Sequence, residues 1–256
     1  MGGHVRLDAL HRHGTGPLHR ARPQCKLLAT VLFVFAVVAT PREAVWAFGL
    51  QALLLAGVAR AGEVPLRLIA RRIVVETPFV LFALFLPLIG QGERVDVAGI
   101  GLSVDGLWGM WNILAKATLG VAATIVLTAT TTIPELLRGL ERLRMPPALT
   151  TIASFMVRYA DVLSGEVSRM RVARLSRGYD PRWLWQARAI AASAGTLFIR
   201  SYERGERVYL AMISRGWSGA MPDAAGMAAS RAQWAGALTV PAAAAAVALA
   251  AWLVQW

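Results

Sequence analysis

Five apolar runs divide the 256-residue chain, and they limit its fold more than any other feature of the sequence. The runs cover residues 27–39, 44–59, 73–90, 107–133 and 235–254. A helix needs about 20 apolar residues to cross a bilayer, so the two shortest runs fit a tight hairpin of short or tilted spans, with a re-entrant pair as the alternative. Because lipid offers no water, backbone N–H and C=O groups there must bond to each other, as they do within a helix. The pattern therefore predicts an all-α integral membrane protein with about five transmembrane helices.

The composition supports a membrane protein in spite of a strongly basic net charge. Hydrophobic residues make up 56% of the chain and charged residues 16%, against about 25% charged residues in an average globular domain. A soluble nucleic-acid-binding domain with a net charge of +12 would not be this apolar, so we expect the lipid bilayer and no nucleic acid as a partner. The single cysteine, Cys25, excludes a disulfide within the chain.

The basic residues cluster where a membrane protein faces the cytoplasm. Residues 1–26 carry a net charge of +4, residues 27–133 only +1, and residues 134–256 carry +7. The loop 60–72 contains four arginines, whereas 91–106 contains three acidic residues and one arginine. Because positively charged loops stay inside, the sequence predicts a multi-pass protein of the cytoplasmic (inner) membrane with its N-terminus in the cytoplasm.

Four segments follow from the apolar runs and the charges. They are a basic cytoplasmic N-terminal tail at 1–26, transmembrane helices 1–4 at 27–133, a cytoplasmic block of amphipathic helices at 134–232, and the last transmembrane helix at 233–256. In the cytoplasmic block, apolar residues recur at three- and four-residue steps and predict a helix from about 148 to 177. A second helix is marked by Phe198, Tyr202, Tyr209 and Met212, and Glu203 and Arg207 are spaced as an i,i+4 ion pair.

The two cytoplasmic helices are predicted to end in the same way. The stretch Ala173-Arg174-Leu175-Ser176-Arg177-Gly178-Tyr179 recurs 38 residues later as Ala211-Met212-Ile213-Ser214-Arg215-Gly216-Trp217. Glycine lets the chain turn out of a helix, and arginine lies beside the negative end of the helix dipole. One such copy is typical of an ordinary helix end. Two copies favour a second function, in which each guanidinium binds an acidic or carbonyl-lined groove on a partner.

These helix ends resemble the pair of Ala-Arg-Gly signatures in the transmembrane T component of energy-coupling factor (ECF) transporters. Further matches to the cobalt branch, the CbiQ family, are Leu18-His19-Arg20, Thr130-Thr131-Thr132 followed by Glu135-Leu136-Leu137, Met156 with Arg158-Tyr159, and Arg200-Ser201-Tyr202-Glu203-Arg204 leading to Arg207-Val208-Tyr209. The resemblance covers about 18–222. The run 21–25 departs from the pattern of the family.

The resemblance implies a role for these residues in coupling. Two ABC-type ATPase subunits are expected beneath the T component, with Arg177 and Arg215 docked into grooves on them. Ala173 and Ala211 would allow close packing, and Gly178 and Gly216 would release the chain. A supporting set of coupling residues comprises Arg158, Tyr159, Arg200, Tyr202, Glu203 and Arg204.

The same resemblance implies the cargo and the other partners. The helices would transmit ATPase motions to a substrate-capturing cobalt membrane subunit, with a small accessory membrane subunit as an optional partner. The cobalt branch implies Co²⁺ as cargo for cobalamin biosynthesis. Because T components do not select the substrate, a nickel or vitamin ECF transporter is the alternative.

The sequence contains no catalytic constellation. It has no Walker motif, so ATP hydrolysis is assigned to a partner chain, which would bind the ATP and Mg²⁺. This chain is predicted not to be an enzyme and not to bind a cofactor. A membrane-embedded lipid-modifying enzyme is the alternative from another class, but Asp161, Glu166 and Asp180 are not arranged like a metal-binding motif. All four histidines lie within residues 1–19. We interpret them as part of a basic tail near anionic lipid, not as a metal site.

Two ionisable residues, Glu76 and Lys116, lie in or near the apolar runs. An ionisable residue inside a membrane is a functional candidate. Glu76 lies close to Arg71 and Arg72 in the sequence, however, and Lys116 is long enough to reach the interface. Structural pairing is therefore the interpretation that we favour for both residues.

Overall fold

The computed structural model describes residues 16–90, 94–97, 100–179, 188–217, 219 and 229–254. The elements in these residues are the helices α1 (Pro17–Arg20), α2 (Pro23–Ala39), α3 (Val45–Ala61), α4 (Leu66–Arg72), α5 (Thr77–Ile89), α6 (Val104–Thr130), α7 (Ile133–Arg142), α8 (Pro147–Ser176), α9 (Arg188–Ile213) and α10 (Arg231–Val254), with the strands β1 (Arg94–Val97) and β2 (Ile100–Ser103). The predicted all-α fold class is confirmed, with one short pair of strands added to it.

The chain packs as two units. The first, which we call the bundle unit, contains the described residues between 10 and 139 and between 227 and 256. The second, the two-helix unit, contains the described residues between 140 and 226 and is formed mainly by α8 and α9. The division falls within α7, between Gly139 and Leu140.

Small side chains fill the centre of the bundle unit, and large apolar side chains cover its outside. Five alanines of α3, α6 and α10 are 0% exposed, namely Ala47, Ala59, Ala129, Ala244 and Ala251. By contrast, Phe35, Leu53, Phe82 and Leu253 are 66–78% exposed. Small residues let helix backbones approach closely in membranes, and such an apolar outer surface would be unstable in water. This arrangement is typical of a protein surrounded by lipid.

Two of the helices are long and apolar enough to cross a membrane by length and composition, α6 with 27 residues and α10 with 24. The apolar helices α2 and α3 have 17 residues each and α5 has 13. At a rise of 1.5 Å per residue, 17 residues span about 25 Å, slightly less than the roughly 30 Å hydrocarbon core. The five predicted runs therefore fall on five helices, and the number of spans stays a prediction.

Two helix starts differ from the sequence-based boundaries. α2 begins at Pro23, four residues before the predicted first run, because a proline is well suited to the first helical turn. The third run is not one continuous helix, since a 3-10 turn at Ile73–Glu76 precedes α5 and Pro78 follows at the start of that helix.

The segment 91–106, with its three acidic residues, contains the two strands, which the sequence pattern did not predict. β1 pairs with β2 in antiparallel register, with Arg94 opposite Ser103 and Val97 opposite Ile100. Ser103 also caps α6, because its Oγ accepts a hydrogen bond from the Gly106 N–H at 3.3 Å. A serine at this position satisfies one of the free N–H groups at a helix start.

Two buried polar side chains of the bundle unit form hydrogen bonds between distant segments of the chain. The Gln51 amide of α3 donates to Thr40 Oγ1 at 2.9 Å, and the Lys26 ammonium of α2 donates to the Thr130 carbonyl at the end of α6 at 2.9 Å. The Glu135 carboxylate accepts the Thr132 N–H at 2.9 Å and thereby caps the start of α7. The threonine and glutamate motif seen in the sequence thus forms the junction between α6 and α7.

Glu76 pairs with a different group from the one predicted. Its carboxylate accepts a hydrogen bond from Thr118 Oγ1 of α6 at 3.0 Å. Among the described residues it forms no ion pair with Arg71 or Arg72, because the turn at 73–76 directs the carboxylate into the bundle, where it is 3% exposed. Lys116 lies beside a cavity at the α2–α3 turn, with Asn112.

Candidate functional site

The first candidate feature is the end of α8. The chain leaves the helix through Gly178, which has a φ of +74°. The Gly178 N–H donates to the Leu175 carbonyl at 2.9 Å, and the Tyr179 N–H donates to the Arg174 carbonyl at 3.1 Å. This pair of hydrogen bonds is a Schellman motif, in which the left-handed residue is usually glycine. The backbone at this point therefore favours glycine.

The end of α9 has the same geometry. Gly216 has a φ of +80°, its N–H donates to the Ile213 carbonyl at 2.8 Å, and the Trp217 N–H donates to the Met212 carbonyl at 3.0 Å. Each of these bonds matches one at the end of α8 at an offset of 38 residues. The sequence repeat is thus also a repeat of structure. In addition, the Trp217 ring packs edge-on against Tyr209, with ring centroids 6.1 Å apart.

A serine in each copy strengthens the match, and these serines do not belong to the predicted site residues. Ser176 Oγ donates to the Ala173 carbonyl at 3.1 Å, and Ser214 Oγ donates to the Ala211 carbonyl at 3.0 Å. The last turn of each helix is therefore held by a side chain as well as by the backbone. The serine shared by the two sequence copies is the signal from which this contact could have been predicted. Both alanines lie on the exposed surface.

Arg177 and Arg215 lie at equivalent positions, one residue before each glycine. Their backbone N–H groups bond back into the helix, at 3.1 Å to the carbonyls of Arg174 and Met212. Both side chains are exposed, and neither forms a hydrogen bond or an ion pair with a residue that the structure describes. Two guanidinium groups with all their donors available are thus displayed at the ends of two helices of 30 and 26 residues.

A charged cluster joins α8 to α9 farther from these ends. The Glu166 carboxylate accepts a hydrogen bond from Arg200 of α9 at 2.9 Å and another from Arg169 of its own helix at 2.6 Å. The hydrogen bond and positive charge of Arg169, together with those of Arg200, hold the pKa of Glu166 below its usual value. Arg200, which belongs to the predicted supporting set, therefore contacts a residue of its own chain.

The other members of the supporting set lie mainly on the surface. Tyr159 is half-buried and stacks on Phe155, with ring centroids 6.2 Å apart and an angle of 28° between the rings. Arg158 and Arg204 are exposed, and Tyr202 is 67% exposed. The set therefore does not form one compact site in the structure.

The predicted ion pair between Glu203 and Arg207 is wrong. Both side chains are exposed, and no ion pair joins them in the described part of the chain. An i,i+4 spacing permits such a pair, but the gain for exposed groups is only about 0.3–0.5 kcal/mol. Hydration of the two separate charges is enough to offset so small a gain.

Apolar side chains on α8 and α9 remain exposed. Met156 and Val172 of α8 are 69% and 63% exposed, and Phe198 and Leu210 of α9 are 70% and 59% exposed. The predicted amphipathic faces are present in the sequence, but within the described residues they are only partly covered. Exposed apolar patches of this kind mark contacts with a partner or with lipid.

The histidines do not add a metal site to the described structure. His4, His11 and His13 lie outside the described residues, and His19 lies within α1. In the part of the chain that the structure describes, no three His, Cys, Asp or Glu side chains are grouped so that they could hold a metal ion.

The bundle unit has small residues at its centre and large apolar residues on its outer surface, and its apolar helices define an all-α membrane protein. The chain also has two matching helix ends, each with an exposed arginine. Comparison with known proteins identifies the family. Residues 14–224 match the CbiQ family, described as "Cobalt transport protein", and the chain belongs to this family. The resemblance inferred from the sequence motifs is confirmed.

Several curated proteins are similar to this chain. The cobalt transport protein CbiQ of Rhodobacter capsulatus is 30% identical over 160 residues, which are 62% of this chain and 64% of that protein. A putative fused cobalt transport protein CbiMQ of Methanocorpusculum labreanum is 30% identical over 145 residues, 54% of this chain and 24% of that protein. This chain thus spans less than two thirds of either relative. The energy-coupling factor transporter transmembrane protein EcfT of Bacillus selenitireducens is 28% identical, with 80% and 81% covered.

Proposed function

We propose that this chain is the transmembrane coupling subunit, the T component, of an ATP-driven ECF importer, and that it is not itself an enzyme. The observation that carries the proposal is the pair of helix ends at Arg177 and Arg215, which have matching backbone hydrogen bonds and unpaired guanidinium groups. Two copies of one geometry fit two copies of one partner surface. A pair of ABC-type ATPase subunits, each with one docking groove, is such a partner.

The chemistry of each helix end suits an acidic or carbonyl-lined groove. A guanidinium presents five donors in a planar fork and can bind a carboxylate through two hydrogen bonds. The Schellman motif fixes the direction in which the chain leaves the helix, so that each arginine has a defined position. Ala173 and Ala211 leave space beside it for the partner to approach.

The length of the two helices supports a role in transmitting motion. At 1.5 Å per residue, α8 is about 45 Å long and α9 about 39 Å long. The Glu166–Arg200 contact joins them, so that a movement at one end is passed to the other helix. The exposed apolar residues of both helices provide surfaces for the substrate-capturing membrane subunit and for a small accessory membrane subunit.

Co²⁺ is the cargo that we propose, in a transporter that supplies cobalamin biosynthesis. The description of the family and the names of two relatives refer to cobalt transport. Other relatives have names that refer only to energy coupling, so a nickel or vitamin importer is the alternative. We propose that the capture of the cargo belongs to the separate membrane subunit, and that ATP and Mg²⁺ bind to the ATPase subunits.

We further propose five membrane spans, with the N-terminus and the two-helix unit on the cytoplasmic side of the cell membrane. The positive charge supports this orientation, because residues 1–26 and 134–256 carry net charges of +4 and +7. ATPase subunits act in the cytoplasm, where this topology would present Arg177 and Arg215.

Charge reversal at the two helix ends tests the coupling role. Arg177→Glu and Arg215→Glu would be co-expressed with the tagged ATPase of the same organism, and the amount of co-purified chain would be measured. Removing one partner from a buried charge pair at an interface costs about 2–5 kcal/mol, so each variant should lower co-purification and ATP-driven uptake. Arg171→Glu is the matched control, because Arg171 is also exposed on α8 but does not belong to a helix end.

The result would contradict the proposal if both reversed variants inserted normally, bound the ATPase and supported uptake as well as the Arg171→Glu control. The cargo is tested separately by measuring the uptake of radioactive cobalt and nickel in cells with the complete set of subunits. Uptake of nickel in preference to cobalt would replace the proposed cargo and leave the coupling role unchanged.

A further inference from the structure

A cavity of about 530 Å³ lies inside the bundle unit, among α2, α3, α6 and α10. Its size falls in the range of roughly 300–1,000 Å³ that is typical of small-molecule sites. The proposed coupling function does not use this cavity, since neither Arg177 nor Arg215 contributes to its lining. Its two ends differ in chemistry, and this difference indicates what it could hold.

Three cationic side chains lie at one end of the cavity, Arg20, Arg22 and Lys26. Arg20 is exposed and Arg22 is half-buried, and neither guanidinium forms a hydrogen bond or an ion pair with another described residue. The buried Lys26 ammonium uses one of its three donors on the Thr130 carbonyl at 2.9 Å. This end of the cavity therefore offers several unused hydrogen-bond donors and a high positive charge.

No acidic side chain neutralises this end from within the cavity, as far as the described residues show. The charge of Glu135 acts on Lys26, but the Glu135 carboxylate binds the Thr132 N–H at 2.9 Å and does not line the cavity. The positive charge of the two arginines thus remains available to an anion that enters from outside.

The other end of the cavity is apolar. Phe33, Leu55, Ala123 and Pro241 form its walls. The lining runs along α2 from Cys25 to Phe33 and along α10 from Gln233 to Pro241, nine residues in each case, which corresponds to about 12 Å of helix. The site is therefore an apolar channel about two helical turns long with cations at its mouth.

The cavity also has free space beside Gly236. A Cβ atom added to Gly236 would meet nothing within 4 Å, although this glycine lines the cavity. A close-packed helix interface would leave little such space. The gap can accept part of a ligand, and it offers a position at which the cavity can be filled by mutation without a clash.

We propose that this cavity binds one anionic phospholipid, with its phosphate at Arg20 and Arg22 and one acyl chain between α2 and α10. The charge and the shape both favour this ligand. A neutral apolar molecule would leave the arginines unpaired, and inorganic phosphate would leave the apolar walls unfilled. The cationic end is also the end predicted to face the cytoplasm, where the leaflet is rich in anionic lipid.

The test measures which lipid the purified full chain retains. The chain would be reconstituted in nanodiscs of phosphatidylglycerol or phosphatidylcholine with the same acyl chains, extracted in mild detergent, and examined by native mass spectrometry. We expect one retained phosphatidylglycerol per chain and little phosphatidylcholine. The combined change Arg20→Gln and Arg22→Gln should lower the retention of phosphatidylglycerol on the order of tenfold.

Matched controls separate the cavity from the general surface. Arg60→Gln with Arg67→Gln removes two exposed arginines that do not line the cavity, and should leave retention unchanged. Gly236→Leu should abolish retention by filling the channel. Gly57→Leu is its control, because a Cβ at Gly57 also meets nothing within 4 Å but lies outside the cavity.

A second measurement needs no variant at all. Cys25 is the only cysteine of the chain, and its buried side chain lines the cavity. A bound lipid should therefore slow the labelling of Cys25 by a maleimide several-fold in phosphatidylglycerol compared with phosphatidylcholine. Equal labelling rates, equal retention of the two lipids, or full retention by Gly236→Leu would each overturn the proposal.

Discussion

The Glu166 carboxylate in α8 lies 2.9 Å from the Arg200 guanidinium in α9, and this ion pair joins the two helices that end at Arg177 and Arg215. Along each helix the pair lies about 15–20 Å from the helix end. The sequence resemblance assigns Arg200 to the coupling block. In the structure Arg200 instead binds Glu166 of the same chain and thereby joins α9 to α8.

Breaking this pair should loosen the two-helix unit. Glu166→Gln removes the negative charge that binds Arg169 and Arg200. We expect a broader distribution of distances between α8 and α9. Electron–electron double resonance would measure it between spin labels at Val172→Cys and Leu210→Cys, two exposed positions, in a Cys25→Ser background.

Glu203→Gln provides the control for this prediction. Glu203 is exposed on α9 and forms no ion pair with a described residue, so its removal should leave the distances unchanged. If Glu166→Gln gave the same narrow distribution as Glu203→Gln, the ion pair would have no role in positioning the helices.

The same pair predicts how the helices respond to pH. Arg169 and Arg200 lower the pKa of Glu166 from its ordinary value of 4.5, so the folded unit favours the charged carboxylate. The stabilisation is therefore complete above pH 4.5 and is lost as the pH falls through the lowered pKa. The distance distribution should stay constant from neutral pH to about pH 4.5 and broaden only in more acidic solution. Glu166→Gln should show the broad distribution at every pH.

The glycines at the two helix ends should tolerate asparagine better than alanine. Gly178 and Gly216 have φ values of +74° and +80°, and a Cβ at either position would meet nothing within 4 Å. The cost of alanine is therefore conformational, about 1–2 kcal/mol, and asparagine adopts this backbone more readily. Hydrogen exchange at the Tyr179 amide should be faster in Gly178→Ala than in the unchanged chain, and slower in Gly178→Asn than in Gly178→Ala.

Gly205→Ala is the control for the helix-end glycines. Gly205 lies inside α9, has no positive φ, and also has open space around its Cβ. There alanine should stabilise the helix by about 0.5–1 kcal/mol. Equal effects of alanine at 178 and at 205 would show that the left-handed backbone has no influence on the helix end.

Local patterns allowed much of this structure to be predicted from the sequence. The apolar runs located α2, α3, α5, α6 and α10, because burial in lipid requires continuous apolar helices. The helix from about 148 to 177 was found at Pro147–Ser176, since proline and glycine mark where a helix begins and ends. The repeated motif likewise predicted that each of the two helices ends at its glycine.

Contacts between distant residues could not be predicted in the same way. Glu166 and Arg200 are 34 residues apart, and Glu76 and Thr118 are 42 residues apart. Helical spacing suggested the pair Glu203–Arg207 instead, which the structure does not form. The cavity beside Arg22 was not foreseen either, because it depends on gaps among four helices and not on any one segment.

A close approach between α5 and α6 gives a prediction about the stability of the bundle unit. A Cβ added to Gly106 at the start of α6 would collide with the backbone of α5 at Leu86 and Pro87. Because backbone atoms cannot move aside as a side chain can, Gly106→Ala should destabilise the protein by about 1–3 kcal/mol. Gly120 lies in the same helix, and a Cβ there meets nothing within 4 Å. Gly120→Ala should therefore raise stability by about 0.5–1 kcal/mol. Thermal unfolding in detergent should give Tm shifts of opposite sign for the two variants, and a shift of the same sign would contradict the close packing of α5 on α6.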